Sequence, residues 1–142
     1  MTQTETRWHT EHHIETTATV EAIWRIFQDT STWNRWNEGI ERIDIEGPFA
    51  AGTWFTMKPP GQEVLRSRLL EVRDNEYFVD ETRVGDLVVT VTHRIERLGV
   101  KGARVTYSIE TTGAGAAEIG PAIAADFPVV LSALARTAEQ RS

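Results

Sequence analysis

The chain contains no cysteine among its 142 residues. This absence excludes disulfide bonds, thiolate metal sites and cysteine nucleophiles, and it is compatible with a reducing compartment. Residues 1–10 contain no apolar run, which argues against a signal peptide. No stretch is expected to reach the ~20 apolar residues of a membrane span. We therefore expect a cytoplasmic protein with no membrane span.

Positive charge is also scarce. Lysine and arginine number 15 against 21 aspartates and glutamates, so the formal net charge is -6. Binding to phosphate backbones depends mainly on clustered Lys and Arg, so nucleic acid is not an expected partner. The hydrophobic share of 40% and the charged share of 25% are those of an ordinary globular protein. The length suits a single domain over residues 1–142, ordered from about 7 to 140.

Motifs of several enzyme classes are missing too. There is no Gly-x-Ser-x-Gly nucleophile elbow, and Gly113 and Gly115 lack the flanking lysine and hydroxyl residue of a phosphate-binding loop. Three histidines near the start do not predict a metal site. On a strand, His12 points away from His9 and His13, which would themselves lie about 13 Å apart. We expect neither a metal nor a cofactor.

The patterns that are present predict strands and helices along the whole chain. Short turns between the later strands indicate antiparallel neighbours, because parallel strands need a crossover of a dozen or more residues. The predicted strands are 7–16, 40–46, 52–58, 62–73, 76–83, 86–98 and 103–112. The predicted helices are 20–29, a short one around 33–37, and one long apolar helix that follows Gly115 and runs nearly to Ser142.

The strand at 86–98 has the clearest alternation. One face carries Leu87, Val89, Val91, His93 and Ile95, whereas the intervening residues are largely polar. A sheet followed only by one long helix must bury its apolar face against that helix. The pattern therefore predicts an imidazole, that of His93, in the space between sheet and helix.

The terminal helix is predicted to turn one apolar stripe to the sheet. The stripe consists of Ile119, Ile123, Phe127, Val130, Leu131, Leu134 and Ala138. Pro128 lacks an N–H and its ring crowds the carbonyl of Ala124, so a kink or break is expected between these two residues. Either the prolines only fit the helix to a curved sheet, or the segment 113–127 gates ligand entry.

Several motifs together resemble those of the START-like superfamily. They are the order β-α-α-β6-α, the Trp33-Asn34-Arg35-Trp36-Asn37 helix leading to Gly39-Ile40, Gly52 opening a strand, the Tyr77 to Thr82 strand, Thr92-His93 and the Pro128 to Glu139 tail. Within it, residues 8–140 are most similar to the small bacterial polyketide cyclase/dehydrase and lipid-transport proteins. The resemblance implies an α+β helix-grip fold, in which a curved antiparallel seven-stranded sheet wraps around the C-terminal helix and encloses a cavity for an apolar or aromatic molecule.

His93 is the first chemical candidate. It is either a hydrogen-bonded core residue or, with an unperturbed pKa of about 6.5, a proton-transfer group for enolisation, cyclisation or water loss. Tyr107 is predicted on the inner face of the next strand. The strand 76–83 points either Asp80 or Glu81 inward, so Asp80 is a candidate partner for His93.

The direction of one further strand stays open at this point. In the strand 62–73, Arg66 and Arg68 face either water or the interior, where they would need carboxylate partners. The residues predicted to line the ligand cavity are Trp36, Phe55, Met57, Phe78, Val89, Val91, His93, Tyr107, Ile109, Ile123, Phe127 and Leu131.

Three functions are compatible with these patterns. The first is binding of a hydrophobic or aromatic small molecule in a cavity between the sheet and the C-terminal helix. The second is a polyketide cyclase or dehydratase in which His93 transfers protons, together with Asp80 or Tyr107. The third is a protein-interaction module that uses the outside of the sheet. A monomer and a homodimer are both compatible with the sequence.

Overall fold

The computed structural model describes residues 6–141, so the predictions for residues 1–5 and 142 lie outside the described part of the chain. It contains seven strands, four α-helices and one 3-10 turn at Thr30–Thr32. The strands are β1 Arg7–Thr16, β2 Arg42–Ile45, β3 Trp54–Lys58, β4 Leu65–Arg73, β5 Tyr77–Val84, β6 Leu87–Arg97 and β7 Ala103–Thr112. The helices are α1 Val20–Gln28, α2 Trp33–Trp36, α3 Ala116–Ala124 and α4 Phe127–Arg141.

All seven strands form one antiparallel sheet in the order β1-β7-β6-β5-β4-β3-β2. Helices α1 and α2 connect the two edge strands, β1 and β2, and α1, α3 and α4 pack on one side of the sheet. We call the helix-covered side the inner face and the other side the outer face. This arrangement confirms the predicted α+β helix-grip fold.

Three strands are shorter than predicted because turns occupy their first residues. β2 begins at Arg42 rather than at residue 40, since the N–H of Ile40 donates to the carbonyl of Asn37 at 3.1 Å. β4 begins at Leu65 rather than at residue 62, since Gln62 N–H donates to the carbonyl of Pro59 at 3.1 Å. β3 begins at Trp54 rather than at residue 52, since Thr53 N–H donates to the carbonyl of Ala50 at 3.2 Å. The ends of the other strands agree with the sequence prediction to within one residue.

The terminal helix is broken where the prolines predict it. α3 ends at Ala124 and α4 begins at Phe127, and Pro128 cannot donate a hydrogen bond to Ala124. The new helix begins instead with Val130 N–H donating to the carbonyl of Asp126 at 2.9 Å. The predicted break between Ala124 and Pro128 is therefore confirmed.

The predicted inward stripe is wrong at its first residue. Ile119 is 45% exposed, whereas α3 turns Ala116, Gly120 and Ala124 to the sheet. A Cβ atom on Gly120 would lie 2.2 Å from a ring carbon of Trp8, so only glycine allows α3 to approach β1 this closely. The small residues of α3 face inward because the large indole of Trp8 occupies the space beneath them.

The segment Ala116–Arg141 corrects a second sequence expectation. Its 26 residues, with a mean hydropathy of 1.4 over their most apolar window, have the length and composition of a membrane span. In the fold the segment is divided into α3 and α4, and Leu131 and Leu134 are buried in the core. The core helix of a soluble protein passes the same test, so length and composition are weak evidence for a span here.

Candidate functional site

Three polar side chains come together on the inner face of neighbouring strands. In the sheet register His93 on β6 lies opposite Phe78 on β5 and opposite Tyr107 on β7. Asp80 follows two residues after Phe78 and therefore shares its face. We call Asp80, His93 and Tyr107 the polar trio. The alternation of β6 predicted the inward direction of His93, and the structure agrees.

The imidazole of His93 is positioned mainly by aromatic rings. It stacks on Phe78 at 3.9 Å between ring centroids with an interplanar angle of 8°, and Tyr107 meets it edge-on at 4.6 Å. Its Nδ1 lies 3.4 Å from the carbonyl oxygen of Phe78 and 3.8 Å from Oδ2 of Asp80. The last distance is too long for a hydrogen bond. Asp80 and His93 are thus close neighbours without a direct bond.

Burial changes the acidity of every member of the polar trio. Loss of hydration raises the pKa of Asp80 to about 7. It lowers the pKa of His93 to about 3, although the Phe78 carbonyl opposes that shift. It also raises the pKa of Tyr107, with a further contribution from the charge of Asp80. Asp80 is therefore the member of the trio whose pKa lies near neutral pH, whereas the sequence had indicated His93 as the candidate proton-transfer group.

The two open strand directions are settled by the register. Asp80 faces inward, and Glu81 faces outward, where its carboxylate accepts a hydrogen bond from Arg83 at 3.0 Å. Arg66 also faces outward and donates to Glu46 at 3.0 Å. The alternative with inward-facing arginines on β4 is therefore wrong.

Aromatic side chains fill much of the interior beside the polar trio. Phe78 meets Phe27, Phe49 and Trp33 with centroid distances of 5.0, 5.1 and 5.8 Å, and Trp24 lies against the same cluster. The indole N–H groups of Trp24 and Trp36 are buried and have no hydrogen-bond partner among the described residues. An unpaired buried donor of this kind costs about 1–3 kcal/mol.

The residues predicted to line a cavity all belong to the hydrophobic core or pack against it. The buried residues are Trp36, Phe55, Phe78, Val89, Tyr107, Ile109, Phe127 and Leu131. Met57, Val91 and Ile123 are partly buried, as is His93. Because Val91 and His93 lie on the inner face of central strand β6, their partial exposure shows that the helices do not seal this part of the sheet.

Two pockets are described here, and neither of these two is lined by the polar trio. One, of about 220 Å³, lies between β1 and the break of the terminal helix; we call it the helix-break pocket, lined by Trp8, Thr10, His12, Pro121, Ala124, Ala125 and Pro128. The other, of about 300 Å³, lies mainly over outer-face residues of β1, β6 and β7, among them Arg7, Thr92 and Glu110. Neither of these two pockets is the enclosed cavity expected around His93, where the rings of Phe78 and Tyr107 pack against the imidazole. That cavity stays a prediction.

The residues of the helix-break pocket were not predicted as a site from the sequence. The signal was the alternation of β1, which puts Trp8, Thr10 and His12 on the inner face. His12 was considered only as a metal ligand. In residues 6–141 no group of three or more histidine, aspartate or glutamate side chains is arranged to hold a metal ion.

Comparisons with known proteins agree with the fold. Residues 7–139 match the family described as polyketide cyclase / dehydrase and lipid transport. The Zhui aromatase/cyclase from Streptomyces sp. R1128 is 15% identical with a TM-score of 0.82, covering 96% of each chain. A norcoclaurine synthase point mutant from Thalictrum flavum, in complex with a transition-state analogue, is 14% identical with a TM-score of 0.79, over 99% of this chain and 100% of that one. A START superfamily protein from Mycobacterium smegmatis is 15% identical with a TM-score of 0.77, over 94% of this chain and 99% of that one. No curated protein sequence matches.

Proposed function

The chain belongs to the polyketide cyclase / dehydrase and lipid transport family, and on that premise we propose that it binds a hydrophobic or aromatic small molecule between the inner face of its sheet and helices α3 and α4. The observation that carries this proposal is the polar trio among largely apolar and aromatic neighbours. Few polar groups among apolar and aromatic walls are typical of small-molecule sites. Asp80, His93 and Tyr107 would orient the ligand, and the surrounding rings would bind its apolar part.

The ligand reaches the trio by displacing aromatic side chains. Val91 and His93 mark the incompletely covered part of the inner face, and the stacked ring of Phe78 lies beside them. A ligand that carries carbonyl or hydroxyl oxygens would also supply acceptors for the unpaired indole N–H groups of Trp24 and Trp36. These donors favour an oxygenated aromatic or polyketide-like molecule over a plain hydrocarbon chain.

Catalysis of cyclisation or dehydration is the second candidate function, and the pKa of Asp80 favours it. A carboxyl group with a pKa of about 7 can accept or release a proton near neutral pH. As carboxylate it would remove a proton from a carbon between two carbonyls; the resulting enolate would attack a ketone of the same chain, and the new alkoxide would take the proton back. In a dehydration, the Asp80 carboxylate would then remove the remaining proton of the same carbon and deliver it to the hydroxyl, which would leave as water as the C=C bond forms. His93, neutral at this pH, would position the carboxyl and the ligand.

The binding proposal is tested by native mass spectrometry of the purified protein. We expect a small molecule to co-purify with the wild type, and its mass distinguishes a fatty acid from an aromatic polyketide. Substituting Val91→Trp fills the open part of the inner face and should remove the bound molecule, whereas Val88→Trp, on the outer face of the same strand, should retain it. The proposal fails if neither the purified wild type nor protein incubated with 1-naphthol carries a ligand; the protein-interaction alternative would then be preferred.

Binding and catalysis are separated by the substitution Asp80→Asn. This change keeps the size of the side chain but removes the titrating carboxyl. Retained affinity for a co-purified ligand with turnover reduced at least about 100-fold supports proton transfer by Asp80. Unchanged turnover excludes Asp80 as the proton-transfer group and leaves ligand binding as the function.

A further inference from the structure

The helix-break pocket is separate from the polar trio, and its lining contains none of the trio's three residues. The ring of Phe127 lies between the two places: it meets His12 at 6.3 Å and Tyr107 at 5.5 Å between centroids, edge-on in both cases. His12 lines the helix-break pocket, whereas Tyr107 belongs to the trio. A molecule in this pocket would therefore contact none of Asp80, His93 and Tyr107.

Two tight contacts fix the walls of the helix-break pocket. On one side Gly120 of α3 packs directly on the indole of Trp8, and Thr111 Oγ1 donates to the carbonyl of Ala116 at 2.9 Å. On the other side Phe127, the first residue of α4, packs on His12. The gap between the walls exists because the helix stops at Ala124 and restarts at Phe127. The pocket is thus formed by the fold itself, without a ligand.

The size and lining of the pocket indicate what it accepts. Its volume of about 220 Å³ exceeds the cavity of about 150 Å³ that binds benzene in an engineered protein. The lining contains no charged residue of the Asp, Glu, Lys or Arg type, and its α3–α4 side consists of proline and alanine. A ring of Trp8 forms one wall. These features favour an uncharged single aromatic ring.

Two polar side chains of β1 could orient a ligand in the helix-break pocket through hydrogen bonds. Thr10 and His12 line the pocket, and neither the Thr10 hydroxyl nor the His12 ring has a hydrogen-bond partner among the described residues. Both can bond to a hydroxyl group on the ring, the imidazole as donor or acceptor. We propose that the helix-break pocket is a second ligand site, which binds one phenol-sized ring through stacking on Trp8 and a hydrogen bond to His12 or Thr10.

The proposal is tested by titrating the ¹⁵N-labelled protein with 4-methylphenol and recording the indole N–H resonances. The resonance of Trp8, assigned by its loss in Trp8→Phe, should shift and saturate while that of Trp24 stays in place. Toluene, which lacks the hydroxyl, should bind about fivefold more weakly, as expected for loss of one hydrogen bond. The double variant Thr10→Val/His12→Phe should abolish that difference, and His13→Phe, on the outer face of the same strand, should preserve it.

Filling the pocket provides the second arm of the test. Ala125→Trp places an indole at the pocket wall and should weaken 4-methylphenol binding at least about tenfold; Val129→Trp, at an exposed position outside the pocket, should leave it unchanged. Equal affinity in these two variants would overturn the proposal. Shifts at Trp24 instead of Trp8 would also overturn it and would support binding in the interior. Shifts at Trp8 alone support this site whatever the outcome at the polar trio.

Discussion

The inner and outer faces of the sheet both carry carboxyl groups, but those of the outer face form ion pairs, whereas that of Asp80 on the inner face is buried. On the outer face Glu81 is paired with Arg83 at 3.0 Å, and Glu15 is paired with Arg104 at 2.9 Å. One residue away from Glu81, Asp80 lies on the inner face without a hydrogen bond among the described residues, and burial raises its pKa to about 7. Alternation along a strand thus decides whether a carboxyl group forms an ion pair at the surface or is buried with a raised pKa.

The two faces also differ in how tightly their aromatic side chains are packed. Outer-face side chains such as Trp54 remain 37% exposed and stack with arginines, here Arg66 at 4.2 Å. Inner-face rings such as Phe78 are 1% exposed and contact four other aromatic rings and the imidazole of His93. Stability and the candidate chemistry therefore depend on the same side of the sheet, and substitutions on the two faces should differ strongly in effect.

The largest effect is expected from removing the central ring of the inner face. Phe78→Ala should lower the free energy of unfolding by about 3–5 kcal/mol, because it deletes a fully buried ring and leaves a cavity. The matched outer-face substitution Trp54→Ala should cost less than half of that. Urea denaturation measures both. Equal losses at the two positions would break the comparison between the faces.

A second prediction concerns the pH dependence of stability. The folded-state pKa of Asp80 is raised from 3.8 to about 7, so its contribution to stability is lost as the pH rises through that range. The folded-state pKa of His93 is lowered from 6.5 to about 3, so its contribution is lost as the pH falls through that range. Between about pH 4 and 6.5 the folded protein holds one proton on Asp80 and the unfolded chain holds one on His93. The contributions of Asp80 and His93 to the pH dependence of the free energy of unfolding therefore cancel in the wild type.

Each single substitution should leave the pH dependence of the free energy of unfolding that is due to the other residue. Relative to wild type, the free energy of unfolding of Asp80→Asn should rise with pH between 4 and 6.5, and that of His93→Gln should fall, each by up to about 1.4 kcal/mol per pH unit. Urea denaturation at a series of pH values measures the slopes. The double variant Asp80→Asn/His93→Gln should again run parallel to wild type. Parallel curves for all four proteins would contradict the proposed protonation states.

A smaller effect is expected where α3 meets the inner face of β1. Gly120→Ala places a Cβ atom 2.2 Å from the Trp8 ring and should destabilise the fold by about 1–3 kcal/mol. Gly47→Ala is the control, because its Cβ atom would meet only ordinary contacts, the nearest at 3.6 Å. Thermal unfolding compares them. A Gly120→Ala protein as stable as the control would show that the contact between α3 and β1 is loose.

The smallest effect is expected for an ion pair of the outer face. Arg66 donates to Glu46 at 3.0 Å, and both side chains are about half exposed to water, at 53% and 45%. Glu46→Gln should change the free energy of unfolding by less than about 1 kcal/mol, and added salt should reduce the difference further. A loss as large as that of Phe78→Ala would remove the energetic distinction between the faces.

The sequence predicted the fold well because its alternation is clear where one face is polar. His93 could be placed inward because Thr92 and Arg94 beside it are polar. The direction of β4 could not be predicted, because a bulge between Leu69 and Glu71 shifts the alternation within the strand. No single alternation of apolar residues can fit a strand with such a shift.

The candidate site was predicted in its residues but not in its packing. Alternation identified His93 and Tyr107 and left Asp80 as one of two choices. Burial raises the pKa of Asp80 and lowers that of His93. The extent of burial depends on the three-dimensional packing and could not be read from the sequence. The contacts of Phe78 with the rings of Trp24 and Trp33 likewise depend on the three-dimensional packing of α1 and α2 against the sheet. The prediction that residues 113–127 gate ligand entry stays a prediction, and ligand-dependent amide protection in that segment would test it.

The central claim is that the inner face holds the neutral carboxyl group of Asp80 beside the neutral imidazole of His93, where both can bind a ligand. NMR titration of Asp80 through its carboxyl ¹³C resonance and of His93 through its ring resonances measures both groups directly in the folded protein. We predict that Asp80 titrates near pH 7 and that His93 remains unprotonated down to about pH 4. Titration of Asp80 below pH 4 together with titration of His93 near pH 6.5 would contradict the account.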